Sequence, residues 1–497
     1  MSLTLISSGR CQFCHRSDVS SMLAGDSGFI CNECVDACVT ALKPAPEQQP
    51  EGGREDRYVF QRLLRHFAPL RAHEMHATSR TFPVRQQANL QLALDEILGE
   101  RRVPENFVGV QQQYRHEASG YAKLLERSRH GAEIAPPQFE DVDIGHGEAV
   151  RCLKNGLWLL RGGSEPYVVV LSQQNEYGHG TSITIEVAAP AGERGTSLSV
   201  RLFDAIERRL STQSCYRGRV LSLEQSYQWS GHAQRIQIHE LHPVGRDELI
   251  LPEPTLDAID RNVVQFAAQR PALRALGLST QKGLLFHGAP GTGKTHCIRY
   301  LAGQLKDHTT LLITAEQVGL LAEYVALARL LQPTLVVIED ADLIARERSV
   351  DSGVCNEVML NQLLNELDGL RERADVFFIL TTNRPAMLEP ALVSRPGRVD
   401  QAIEFPHPDQ ALRRRLIALY SRGLTLSAQL TDELAVRTDG ASPAFLKEFL
   451  RRIAQHHLEA RGIGAVSHET AEAALHEMLF SGGTLNKRLL GGEAVGT

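Results

Sequence analysis

The residues Gly288, Ala289, Pro290, Gly291, Thr292, Gly293, Lys294 and Thr295 form a run whose types and spacing suit the holding of phosphate. Glycines let backbone N–H groups close around phosphate oxygens, and a helix opening at Thr295 adds the positive partial charge of its N-terminus. Lys294 is placed to reach the β- and γ-phosphates of ATP, and the Thr295 hydroxyl to hold magnesium. The apolar residues 283–286 ahead of the run read as the buried strand that such a loop needs.

Further groups with matching chemistry follow. Leu335, Val336, Val337 and Ile338 read as a buried strand ending in Glu339 and Asp340, 45 residues beyond Lys294. One carboxylate of such a pair can hold the magnesium shell while its neighbour orients and deprotonates an attacking water. A strand at 376–380 runs into Thr381, Thr382 and Asn383, which would set Asn383 beside the γ-phosphate. Arg395 and Arg398 flank a Pro-Gly turn, and a guanidinium fork suits the charge that develops on a transferring phosphoryl group.

A second chemistry sits at the front of the chain. Five of nine cysteines fall within the first 38 residues. Cys11 and Cys14 make one C-x2-C pair, Cys31 and Cys34 another, with sixteen residues between the pairs. Two such knuckles bring four thiolates into a tetrahedron, the arrangement of structural zinc. All four positions are filled, which excludes an open catalytic site. His15 and Cys38 are alternative ligands, with bystander roles favoured. His73-Glu74-Met75-His76 and His239-Glu240-Leu241-His242 have the spacing His-Glu-x-His, one residue too short for two ligands on one helical face, and read as surface histidines.

These groups have to be positioned, and the pattern along the chain suggests how. Residues 1–42 form the cysteine-rich unit, and 43–56, rich in Pro, Gly and charge, a linker. Residues 57–135 show helical spacing, as in Leu90, Leu94, Ile97 and Leu98, and their arginines read as solvated helix faces. Residues 136–250 read as an α+β middle module, with strands near 168–171, 183–187, 220–223 and 236–238 and a helix near 198–210. It carries no recognisable catalytic constellation and is expected to recognise or position something. From 251 to 410 strands alternate with helices, as a parallel sheet requires. Residues 411–480 read as purely helical and 481–497 as a flexible tail.

The phosphate loop, the acidic strand end, the segment 360–370, the Thr-Thr-Asn turn and the Arg-Pro-Gly-Arg turn together resemble the AAA clade of AAA+ ATPases over about residues 250–480. The resemblance implies an α/β fold: a phosphate-loop AAA+ parallel sheet with a C-terminal α-helical lid, joined here to a small zinc-binding domain and a helical and α+β middle region. It also implies a ring of six subunits, with Arg395 or Arg398 acting in trans on a neighbour's nucleotide. The family's usual Asp-Glu pair is reversed, so Glu339 takes the magnesium side and Asp340 the place of the base; both positions remain carboxylates, and hydrolysis is expected. Arg395 follows a segment one residue longer than usual, which leaves both arginines open as the finger. The family's aromatic substrate grip should lie near 316–322, where none is evident; Leu320 is either a weak substitute for it or, the favoured reading, a core position.

The segment 11–42 resembles the N-terminal zinc-binding domain of the ClpX unfoldase, which dimerises and docks substrates or adaptors. The ATPase region lacks the ClpX pore loop and peptidase-binding loop, so a peptidase partner is not implied. Gly440 to Ala444 resembles the AAA-clade lid, without the ClpX sensor arginine. The expected function is therefore an ATP-driven remodeller or unfoldase for protein substrates recruited through the zinc domain. A nucleic-acid-associated ATPase and a nucleotide-gated scaffold with little turnover are the alternatives. A net charge of −6, with 42% hydrophobic and 23% charged residues, disfavours a general nucleic-acid footprint. No run approaches a membrane helix and no signal peptide pattern is present, so a cytoplasmic location is expected.

Overall fold

The computed structural model of the chain describes residues 4–6, 10–17, 21–25, 28–36, 57–99, 105–111, 120–127, 131–145, 147–176, 180–225, 233–344, 375–388, 399–460 and 464–478. Residues 1–56 and 57–497 form two separate compact units.

The first unit is a small antiparallel sheet of β1 (Thr4–Ile6), β2 (Met22–Gly25) and β3 (Gly28–Cys31). Among the described residues its buried hydrophobic residues are Cys11, Met22 and Cys31. So small a core cannot offset chain entropy by itself, which is why the cysteines matter to the fold.

The second unit holds two seven-stranded sheets. The first is antiparallel and runs β4 (Met75–Pro83), β10 (Gly180–Pro190), β9 (Glu165–Glu176), β8 (Glu148–Gly162), β5 (Phe107–Val110), β6 (Ile134–Ala135), with β7 (Gln138–Gly145) also paired to β8. Helix α1 (Val59–Phe67) covers one face through Val59, Leu63 and Phe67. Helices α2 (Gln87–Leu98) and α4 (Glu193–Thr212) cover the other through residues such as Leu94, Phe203 and Ile206; the short α3 (Tyr121–Leu124) packs with α1.

Two features here differ from the sequence expectation. Part of the stretch expected to be helical is strand: β4 and β5 lie within 57–135. In β4 eight of nine residues lie at half-exposed or exposed positions with only Phe82 fully inward, so its alternation is too weak to read. Strands β11 (Val220–Gln225) and β12 (Ala233–His239), within the range expected for the middle module, instead extend the second sheet. Strand partners far apart in sequence leave no local mark.

That second sheet is ordered β12-β11-β14-β15-β16-β13-β17, with β13 (Lys282–His287), β14 (Thr309–Ile313), β15 (Thr334–Ile338), β16 (Val376–Thr382) and β17 (Gln401–Glu404). Every pairing is parallel except the β11–β12 hairpin. β15 and β16 are buried along their whole length, as strands covered on both faces must be. Helices α5 (Glu253–Ile259), α6 (Phe266–Ala275), α7 (Lys294–Gln304), α8 (Leu321–Leu330) and α9 (Ala341–Ile344) accompany the sheet. The lid follows as α10 (Gln410–Tyr420), α11 (Ala428–Arg437), α12 (Pro443–Glu459) and α13 (His468–His476). Each lid helix starts with a side-chain cap: Asp409, Ser427, Ser442 and Ser467 accept from Leu412, Leu430, Phe445 and Thr470 N–H groups. Such caps satisfy donors that a helix start otherwise leaves open.

Candidate functional site

The phosphate loop connects β13 to α7, and its glycines are there because the backbone demands them. Gly288 sits at φ 150°, and a Cβ on it would lie 2.3 Å from the Phe405 carbonyl oxygen. Gly293 caps α7 in the left-handed region at φ 106°. Lys294 is only 7% exposed and its Nζ donates to the carbonyls of Gly288 (2.7 Å) and Ala289 (3.0 Å). Burial pushes its pKa down, opposed by the carboxylates of Asp340 and Asp342. Thr292 Oγ1 ties the loop by donating to the Ala289 carbonyl (2.9 Å).

The parallel order sets β15 and β16 side by side next to β13, so their C-terminal ends converge on the loop, where ligands of open α/β sheets bind. Thr295 Oγ1 donates to Glu339 Oε1 at 3.0 Å. Asn383 Nδ2 donates to Asp340 Oδ1 at 3.0 Å. Adjacent carboxylates therefore face different partners. The backbone between them turns over: Asp340 has φ 49°, uncommon for a non-glycine residue, and its N–H donates to Thr381 Oγ1 at 2.9 Å. Arg395 and Arg398, and the segment 360–370, lie outside the described residues.

The structure adds residues that the sequence reading missed. Asp342, 3% exposed, accepts from Thr382 Oγ1 (2.8 Å) and from the Asn383 backbone N–H (3.2 Å), holding the turn that presents Asn383. Its signal was a third acid two positions past Asp340. The cleft, about 460 Å³, is also lined by Leu249, Ile250, Leu251, His296, Tyr420 and Lys447, among others. His296 Nε2 is 3.3 Å from the Glu248 carbonyl, and burial lowers its pKa. The lid reaches the loop directly, where Ala444 N–H donates to the Gly291 carbonyl at 3.2 Å. A cleft lined by apolar lid residues together with the phosphate loop and its acids suits a nucleotide, with phosphates at the loop. The hydroxyl of Thr295 beside the Glu339 carboxylate is an oxygen donor set that fits magnesium.

In the first unit the thiol sulphurs of Cys11, Cys14, Cys31 and Cys34 all lie within 4.8 Å of one another. Cys11 and Cys34 sulphurs are 3.8 Å apart, and Cys14 and Cys31 sulphurs 3.6 Å. The edge of a tetrahedron with Zn–S bonds of about 2.3 Å is about 3.8 Å, so the cluster fits zinc. Backbone N–H groups of Cys31 and Cys34 donate to the Cys11 and Cys31 sulphurs (3.3 and 3.4 Å). Hydrogen bonding from the Cys14 backbone pulls the Cys11 thiol down to about 6, whereas its hydrogen bond with Cys31 pushes Cys34 up to about 12. Four sulphurs crowded this way favour a cation among them. His15 stands outside the cluster and Cys38 outside the described residues.

A phosphate loop on a parallel sheet, paired acids at a neighbouring strand end and a helical lid define a nucleotide-hydrolysing domain of the phosphate-loop class. Residues 284–407 match the family model of the ATPase family associated with various cellular activities (AAA), and residues 9–43 that of the ClpX C4-type zinc finger. The chain is 30% identical over 281 residues to a 26S proteasome regulatory subunit 8 homolog of Encephalitozoon cuniculi, covering 51% of this chain and 71% of the relative. It is 35% identical over 202 residues to a proteasome-activating nucleotidase of Methanothermobacter thermautotrophicus, covering 38% and 48%. With the ATP-dependent zinc metalloprotease FtsH of Mycobacterium bovis it shares 36% identity over 208 residues, covering 39% and 27%. The chain thus spans about half of the nucleotidase and about a quarter of FtsH. The chain belongs to the AAA ATPase family and carries a ClpX-type zinc finger. Among the described residues no helix is long and apolar enough to cross a membrane.

Proposed function

We propose that this protein is an ATP-hydrolysing ring ATPase that remodels or unfolds protein substrates, recruited through its N-terminal zinc unit. One observation carries the hydrolysis: of the two neighbouring carboxylates, Glu339 meets Thr295 and Asp340 meets Asn383. Bound magnesium, held at Thr295 and Glu339, would offset the phosphate charge. Asp340 accepts a proton from the attacking water, Asn383 holds that water and the Asp340 carboxylate in line, and Lys294 and the loop N–H groups of 288–295 bind the β- and γ-phosphates.

The remodelling role draws on the relatives, which include a proteasome-activating nucleotidase and a proteasome regulatory subunit homolog, and on the zinc unit. Six copies arranged as a ring let Arg395 or Arg398 complete a neighbour's site. Reduced zinc thiolates suit the cytoplasm. The zinc unit, 1–42, dimerises or docks a protein adaptor; no peptidase is required. The test is capture: the Asp340→Asn protein, loaded with ATP in cell extract, retains specific proteins only while residues 1–42 are present. Retention of nucleic acid in their place would overturn the protein-substrate reading.

A further inference from the structure

In the AAA clade an exposed aromatic loop that grips substrate follows the strand corresponding to β14. In that stretch here, 314–324, the large residues Leu320, Leu321 and Tyr324 turn inward. Leu320 and Leu321 are buried, and Tyr324, its single aromatic residue, is 1% exposed. They share one core with Leu311 and Ile313 of β14, with Leu221 and Leu223 of the hairpin and Tyr216 just before it, with Val150 and Cys152 of the middle module, and with Ala88 of α2.

Hydrogen bonds tie the same stretch to both ends. Glu339, whose side chain meets Thr295, donates its backbone N–H to the Ile313 carbonyl at 2.9 Å. The next N–H along, of Thr314, donates to Gln317 Oε1 (3.2 Å), and Gln317 Nε2 donates to the Leu223 carbonyl (2.9 Å). The Tyr324 hydroxyl accepts from the Leu223 N–H (2.7 Å) and shares its own proton between the Leu312 carbonyl and Gln317 Oε1, each 3.0 Å away. β11 pairs with β14 only at Val220 and Leu221. Past that ladder, both backbone groups of Leu223 are satisfied by Gln317 and Tyr324 side chains. Next to Tyr324, Glu323 of α8 pairs with Arg85, which lies just ahead of α2, at 2.6 Å, the two side chains only 18% and 15% exposed. Freeing this stretch to reach outward would leave the Leu223 N–H and carbonyl unpaired in a buried setting, which is strongly disfavoured.

We propose, on the ATPase reading above, that residues 314–324 are a coupling joint that carries nucleotide-dependent movement of Glu339 and β14 into the β11–β12 hairpin and the middle module. The middle module then moves with the nucleotide state and serves as the output of the engine. Packed cores and hydrogen-bond networks transmit such shifts when both ends share a two-state element.

Amide hydrogen exchange on the full-length protein, compared in ADP and in a non-hydrolysable ATP analogue, decides it. In the wild type the amides of 220–225 and 233–239 change their exchange rate by about threefold or more between the two nucleotides, alongside the phosphate loop. Tyr324→Phe keeps the ring in the core and removes the shared hydroxyl; combined with Gln317→Ala, it leaves the phosphate-loop response intact and shrinks the hairpin response to less than about 1.5-fold. A responding phosphate loop beside an unresponsive wild-type hairpin overturns the joint, as does a hairpin response that survives the double variant. A phosphate loop that ignores nucleotide overturns the ATPase reading itself, and the joint with it.

Discussion

Asn383 donates its side-chain N–H to Asp340 at 3.0 Å, and no comparable bond links Asn383 to the neighbouring Glu339 among the described residues. The positive φ of Asp340 separates the two carboxylates, so the reversed acid pair keeps one member on the Thr295 side and one on the Asn383 side. On this geometry Asp340→Asn retains ATP binding and lowers single-turnover hydrolysis by about 10²–10⁴-fold, the range of general-base catalysis. Glu339→Gln weakens magnesium-dependent binding as well. Hydrolysis by Asp340→Asn at the wild-type rate would show that the base has been misassigned.

Lys294 is the one cation folded into the loop, and it is bonded to loop carbonyls at 2.7 and 3.0 Å. Those bonds are weaker partners than phosphate oxygens, to which the same ammonium can turn. Lys294→Ala is expected to reduce nucleotide affinity by at least about 100-fold, roughly the worth of two charge-assisted hydrogen bonds. Titration with a fluorescent ATP analogue reads this directly, and near-normal affinity would exclude the lysine from phosphate binding.

Asp342 touches no part of the cleft, yet both of its bonds hold the turn before Asn383. Asp342→Ala leaves Thr382 Oγ1 and the Asn383 N–H without their acceptor, at a cost of about 1–3 kcal/mol in stability. Asp342→Asn keeps one acceptor oxygen and separates positioning from folding. That variant should lower kcat with little change in KM, because a displaced Asn383 misplaces water without altering how phosphate is held. Equal losses in kcat and nucleotide affinity would point to a general structural role.

What could be read from the sequence follows the range of the interactions. The phosphate loop, the acid-bearing strand and the lid caps Ser442 and Asp409 are local patterns, so their residues announce them. Asp342 was passed over because a buried acid after a strand looks like any helix start until its partners, 40 and 41 residues on, are known. The hairpin was legible as two strands but not as neighbours of β14, because Leu221 and Leu311 are 90 positions apart. β4 was read as helical because its outward residues, Thr78, Ser79 and Thr81 among them, give little apolar alternation. Leu320 read as a core position and is buried. The length of Tyr324's reach, from Leu312 to Leu223, has no counterpart in the sequence.

Arg395 and Arg398 lie outside the described residues, so their test has to be functional. If one of them completes a neighbour's site, Arg395→Ala binds ATP normally and turns it over at least about 10³-fold more slowly, the scale of an arginine acting on the transition state. Mixing with the Lys294→Ala protein then restores part of the turnover, since each variant supplies what the other lacks across the interface. Full activity in Arg395→Ala assigns the role to Arg398 or excludes a shared site.

The zinc unit yields the sharpest stoichiometric prediction. The paired sulphur distances of 3.8 and 3.6 Å already match the edges of a zinc tetrahedron, and among the described residues the unit's buried hydrophobic core is Cys11, Met22 and Cys31. Metal binding should therefore supply most of its folding free energy. Protein purified without chelator should contain one zinc per chain. Cys14→Ser or Cys34→Ser should lose it and increase proteolysis within residues 1–42. Every described residue of the ATP site lies within 57–497, a separate compact unit, so the intrinsic ATPase rate of those variants should stay within about twofold of wild type. Capture of protein substrates should fall with the zinc. A metal-free protein with the same protease resistance would show that the four thiols are reduced bystanders, and capture that persists without zinc would move substrate recruitment to the middle module.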